Sequence, residues 1–232
     1  MQSGLKLAGA SWSWVGATLA ESVAIYRALG VGAIDLISIP GKSLDTYQIA
    51  GHPKKQASLM RGLEAELSNL LMFFGVDFRD RALNSADAAV RRANLDTFQR
   101  VLEFCAAANC PSVTVLPGVE QPGLTREVAL ELTATELNRM NELARAAGVL
   151  LVYEPHVESI LEKPADVLEF VPMNSNVKIV IDYSHAVSLG FALCDLEPLV
   201  SHAGHVHLRQ ARPGRTTARN RKRIAGDFTR ES

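Results

Sequence analysis

Three short apolar runs recur in the last third of this 232-residue chain, and each is closed by side chains able to hold a metal ion. VLLVYEPH ends in Glu154 and His156, VKIVIDYSH ends in Asp182 and His185, and HVHLRQ carries His205 and His207. Glu154 to Asp182 is 28 residues and Asp182 to His207 is 25. Each interval holds one strand, one loop and one helix: 149–153 reads as strand, 164–171 as helix, 177–181 as strand and 194–203 as helix. Side chains at the ends of successive parallel strands lie side by side, because neighbouring strands are roughly 5 Å apart. In a closed parallel barrel this spacing brings two carboxylates and an imidazole to one end, a donor set for a hard-to-borderline divalent cation.

The rest of the chain repeats the alternation. Leu5–Ser11 reads as a first strand, and Thr18 as the cap of a helix at 19–29, with Glu21 at the capping-box position and Gly30 as its stop. Ala33–Ile37 is a second strand, Pro40–Pro53 a polar loop, Lys55–Leu67 a helix and Asn69–Phe74 a third strand. Gly75–Ala86 is charged and irregular, as expected of a loop at a functional end. Ala86–Ala108 shows the clearest helical stripe, through Val90, Leu95, Phe98, Val101, Leu102 and Cys105. Ser112–Leu116 is strand four, and Thr125 caps a second long helix that runs to Ala147, with Gly148 as terminator.

Near-continuous apolar strands alternating with helices indicate a parallel sheet covered on both faces. Seven strands recur at intervals of about 25–45 residues. An open doubly wound sheet would carry a phosphate-binding glycine cluster after the first strand, where this chain reads SWSWVG. The expected fold is therefore an α/β TIM (β/α)8-type barrel over residues 1–210. It lacks a normal eighth βα unit, because residues 211–232 form a basic tail studded with Arg212, Arg215, Arg219, Arg221, Lys222, Arg223 and Arg230. A strand and helix need roughly 40 residues, and only the short RIAGDF is available as strand eight. Either another subunit covers the gap or the C-terminus is truncated or altered. Exposed strand edges would favour association into a homo-oligomer.

Composition excludes several classes. A formal net charge of -1 offers no general attraction to nucleic acid or to an anionic membrane. No apolar stretch approaches the length of a membrane span. Ser11 and Ser13 break the N-terminal apolar run and Lys6 is its one charge, so it reads as strand, not signal peptide. Cys105, Cys110 and Cys194 form no CxxC and leave an odd thiol, which points to a reducing, cytoplasmic setting.

The runs EPHVES at Glu154–Ser159, IDYSH at Ile181–His185 and HVHLRQ at His205–Gln210 together resemble the xylose-isomerase-like TIM-barrel superfamily. RRANLDTFQRVLEFC at Arg91–Cys105 is similar to the helix after strand three in those proteins, and the resemblance spans about residues 5–210. It implies metal ligation by Glu154, Asp182 and His207, with Mn, Zn or Mg as the cation. It also implies contact between His185 and substrate. The activity it implies is isomerisation or epimerisation of a small sugar or sugar-like polyol, with inosose-type dehydration next to it. The family's fourth ligand is a glutamate at the end of strand eight. Here Glu231 is the only glutamate after Glu197, and nothing around it matches.

The chemistry suits these residue types. Removing a proton beside a carbonyl requires a base, for which Glu154 is the candidate, and a cation to stabilise the charge that develops. In the epimerases two glutamates share the proton work, one on each face of the substrate, so a chain with one supports only part of that cycle. His156 shares a strand face with Glu154 and is placed to bond a substrate hydroxyl. Trp12 and Trp14 end the first strand, where they line a sugar pocket or plug the barrel. Arg209 is a partner for a phosphate or carboxylate, or a surface arginine. The plainer alternatives are Glu154 as a solvated loop residue, Asp182 as a helix cap, and one of His205 and His207 as a core histidine. His52 and His202 read as surface residues. An endonuclease IV-like repair nuclease would need additional histidines after strands two and three, and Ile34–Pro40 and Phe73–Phe78 have none. A non-catalytic barrel that keeps three ligands is the remaining alternative.

Overall fold

The computed structural model of the protein describes residues 6–14 and 16–214. The expected strand eight, Glu231 and most of the basic tail lie outside the described residues.

Seven strands, β1 (Ala8–Ala10), β2 (Ala33–Ser38), β3 (Glu66–Met72), β4 (Ser112–Val115), β5 (Leu150–Tyr153), β6 (Lys178–Asp182) and β7 (Ala203–His207), form one sheet in sequence order. Every neighbouring pair is parallel. Were the sheet flat, β2 and β7 would stand about 24 Å apart at roughly 4.8 Å per strand. Instead His205 Nε2 on β7 lies 2.7 Å from Asp35 Oδ2 on β2, so the sheet is rolled into a barrel. Among the described residues β1 and β7 do not pair, and this is the seam where an eighth strand would stand.

The helices follow their sequence signals where they are long. Helix α1 (Leu19–Ala28) starts at the Thr18–Glu21 capping box, and Gly30 beyond it takes a φ of 79°. The next two helices are α2 (Thr46–Gly51) and α3 (Pro53–Arg61). Helix α2 breaks the expected loop: Asp45 accepts hydrogen bonds from the Tyr47 and Gln48 amides, and Ile49 is fully buried. Helix α3 stops before the expected Leu67, because Gly62 follows it and Glu64 adopts a left-handed φ of 54°, which frees Glu66 to begin β3. Helices α4 (Ala88–Ala108) and α5 (Arg126–Ala146) run as expected, α5 from its Thr125 cap. The expected helix at 164–171 is α6 (Pro164–Phe170), continued by a 3-10 turn. A six-residue helix, α7 (Tyr183–Ser188), follows β6 directly, and the helix expected at 194–203 is a 3-10 helix, Leu193–His202, interrupted by Pro198.

The strands are not apolar on both faces, as their sequence suggested. Their outward positions, among them Ile34, Leu36, Leu70, Val113, Val115, Leu151, Tyr153 and Ile179, join Phe98, Leu102, Leu137 and Phe170 from the helices in one core. The inward positions carry Asp35, Asn69, Ser112, Thr114 and Asp182, all buried and polar. This lumen, not the core, prepares the site.

Candidate metal centre

Strand alternation places residues two apart on one face. On β7 it turns both His205 and His207 into the lumen, where their rings meet edge to face with centroids 5.1 Å apart. Asp182 is the last residue of β6 and pairs with His207 in the sheet register. Glu154 follows β5, anchored by its amide, which donates to Val115 O at 3.0 Å. One donor atom from each of Glu154, Asp182 and His207 lies within 4.8 Å of the other two. Glu154 is 2 % exposed and Asp182 7 %, so the solvated-loop alternative for Glu154 does not describe this geometry.

His207 Nδ1 is 3.2 Å from Glu154 Oε1. His185 Nε2 sits 3.5 Å from the same oxygen and 3.4 Å from Asp182 Oδ2. Asp182 performs two tasks. Its Oδ1 caps α7 by accepting from the Ser184 amide at 2.9 Å, while Oδ2 turns to the site and meets Arg209 Nη2 at 2.8 Å. Arg209 is therefore not a free surface arginine: its Nε donates to Ser184 Oγ at 2.6 Å, and Nη2 also lies 3.1 Å from His185 Nε2. His156 packs at a tilt against the His185 ring, with centroids 4.1 Å apart, and against Phe78 at 5.5 Å. Trp12 stands edge-on to His207 at 5.6 Å, whereas Trp14 packs near Tyr26 and is more exposed. Every candidate site residue read from the sequence except Trp14 thus borders one cluster.

Electrostatics follow from this burial. Desolvation alone would raise the Glu154 pKa, but hydrogen bonding by His185 and His207 overcomes it and holds the carboxyl well below its ordinary range. Burial opposes charge on His207, yet the Asp35 and Glu154 carboxylates on either side raise its pKa to about 10. Burial also opposes charge on His156, and its neighbour His185 adds to that effect, so the His156 pKa falls.

The donor set fits a divalent cation. Two carboxylates and an imidazole match the O, O, N preference of such ions. Among the described residues Glu154 Oε2 is buried without a hydrogen-bond partner, a costly condition unless something else engages it.

Sequence reasoning missed Asp35, which is 3 % exposed in the middle of β2 and touches both His205 and His207. Its signal was a lone charge inside the apolar run AIDLIS.

A family model described as xylose isomerase-like TIM barrel matches residues 23–227. No curated protein matches the sequence. Among solved structures, a 3-keto-D-glucoside 4-epimerase from E. coli is similar at a TM-score of 0.68 and 14% identity, over 96% of this chain and 88% of that one. A D-psicose 3-epimerase from Clostridium cellulolyticum, solved with D-tagatose, is similar at 0.68 and 14% identity, over 88% of this chain and 72% of that one. An IOLI protein described with a bound zinc atom is similar at 0.65 and 17% identity, over 83% of this chain and 68% of that one.

Proposed function

The chain belongs to the xylose isomerase-like TIM barrel family, and from that premise we propose that it is a metal-dependent isomerase or epimerase of a small sugar or sugar-like polyol. The observation that carries this reading is the convergence of one donor atom each from Glu154, Asp182 and His207 to within 4.8 Å of one another in a buried lumen. Two of the similar structures are sugar epimerases and a third holds a zinc atom, which supports the same chemistry.

Glu154, Asp182 and His207 would hold the cation. When bound, a divalent ion supplies positive charge that stabilises the negative charge developing on a carbonyl oxygen as the adjacent C–H is ionised. Glu154 is the proton acceptor in this reading: its low pKa keeps it ionised at neutral pH, at some cost in basicity. His185 and Arg209 flank Asp182 and in this reading donate to substrate hydroxyls. Trp12 offers an apolar wall against a sugar ring, and His156 braces His185.

Two measurements test the reading. Wild-type protein should bind about one Zn²⁺ or Mn²⁺ in the three-ligand manner of a catalytic site, and Asp182→Ala should abolish that binding. Ketoses incubated with the metal-loaded enzyme in D2O should gain deuterium beside the carbonyl, and Glu154→Gln should slow this exchange by at least about 100-fold. A folded wild type that binds no divalent ion would overturn the reading. Loss of water from the substrate would move it to a dehydratase.

A further inference from the structure

A charged side chain inside the lumen of a barrel is expensive to bury, and it persists only where its partners are fixed. Asp35 is such a group, and both of its oxygens are assigned. Ser112 Oγ and Thr114 Oγ1 donate to Asn69 Oδ1 at 2.9 and 3.0 Å, which orients the Asn69 amide. Asn69 Nδ2 in turn donates to Asp35 Oδ1 at 3.1 Å. Asp35 Oδ2 is left for β7, where His205 Nε2 lies at 2.7 Å and His207 Nε2 at 3.3 Å. The opposite ring nitrogen of His207, Nδ1, faces Glu154.

We propose that Asp35 is the positioning residue of the metal centre: it accepts the Nε2–H of His207, and so turns the Nδ1 lone pair toward the cation held with Glu154 and Asp182. This rests on the metal-centre reading above and adds a residue that touches no metal itself. An imidazole has one proton to place when neutral, and whichever nitrogen carries it cannot ligate. A carboxylate behind a ligating histidine fixes that choice and the ring's orientation, and losing such a partner weakens metal binding about 10- to 100-fold. His205, held by the same oxygen, keeps Asp35 from swinging away. The chain of contacts runs from β4 through β3 and β2 to β7, so the ligand is oriented by the rigid wall of the barrel and not by a loop.

The test is Zn²⁺ affinity by chelator competition on the full chain, comparing wild type, Asp35→Asn and Asp182→Ala. Asp35→Asn should keep one zinc per chain at about 10- to 100-fold weaker affinity, with its circular dichroism unchanged. Unchanged affinity in a folded Asp35→Asn, beside a dead Asp182→Ala, would overturn the positioning role and leave the centre standing. No zinc in the wild type would overturn both. Two zinc ions in the wild type falling to one in Asp35→Asn would make Asp35 a ligand and also overturn the proposal. Because a buried aspartate variant is at risk of misfolding, long-range ¹H–¹⁵N correlation on zinc-loaded wild type supplies a second readout. His207 should show its proton on Nε2, and a proton on Nδ1 with zinc on Nε2 would refute the assignment.

Discussion

Arg209 and a cation make opposing demands on one carboxylate. With Nη2 at 2.8 Å from Asp182 Oδ2, the guanidinium already neutralises part of the charge a metal would use. Its side chain is 37% exposed, so it can move aside, but its charge stays nearby. Two like charges about 4 Å apart repel by about 1 kcal/mol in a water-like dielectric. A divalent ion doubles this term, so Arg209→Gln should tighten Zn²⁺ binding about 30-fold, measured by chelator competition, while lowering turnover if the guanidinium holds substrate. An unchanged affinity would place the guanidinium outside the cation's reach. Glu154, Asp182 and His207 were legible in the sequence because each closes an apolar run one repeat from the next. Asp35 was not, because its histidine partner His205 lies 170 residues away and no local spacing joins them. Only the rolling of the sheet brings the two together.

At the scale of the element, the question is how β6 hands over to α7. Asp182 ends the strand and caps the helix through Oδ1, the cap role weighed from sequence, while Oδ2 is left facing the candidate site. Two variants separate them. Asn caps a helix about as well as Asp, whereas Ala forfeits about 1 kcal/mol. Both variants lose the ion pair to Arg209, so in urea unfolding of metal-free protein Asp182→Asn should be about 1 kcal/mol more stable than Asp182→Ala. Both should bind zinc far more weakly than wild type. Equal stabilities would show that the cap contributes nothing to the fold. The same junction explains what sequence could and could not reveal of the helices. Helix α4 declared itself through the buried stripe of Phe98, Val101, Leu102 and Cys105. Helices α2 and α7 have six residues each, fewer than two turns, and their N-cap aspartates are their main mark.

Across the whole molecule, the lumen charges do part of the work that strand pairing does elsewhere. Among the described residues no hydrogen bonds join β1 to β7, yet His205 and His207 on β7 grip Asp35 on β2 across that seam. The imidazolium of His207 between Asp35 and Glu154 is a tie that depends on pH. Its folded pKa of about 10 lies above the ordinary histidine value, so its contribution to stability is fully present below about pH 6.5. That contribution is lost progressively as pH rises toward 10. Glu154 and Asp35 act at the other end: their folded pKa values are lowered, so their contribution holds above the ordinary carboxylate range and is lost as pH falls below it. Metal-free protein should thus be most stable near pH 5–6.5. Above that window, stability in urea should fall by up to about 1.4 kcal/mol per pH unit from this one group. His207→Gln should flatten that alkaline slope while lowering stability at pH 6, because the variant keeps the buried carboxylates and removes the charge between them. A slope that survives in His207→Gln would assign the pH dependence to other groups and leave the seam to be held by packing alone.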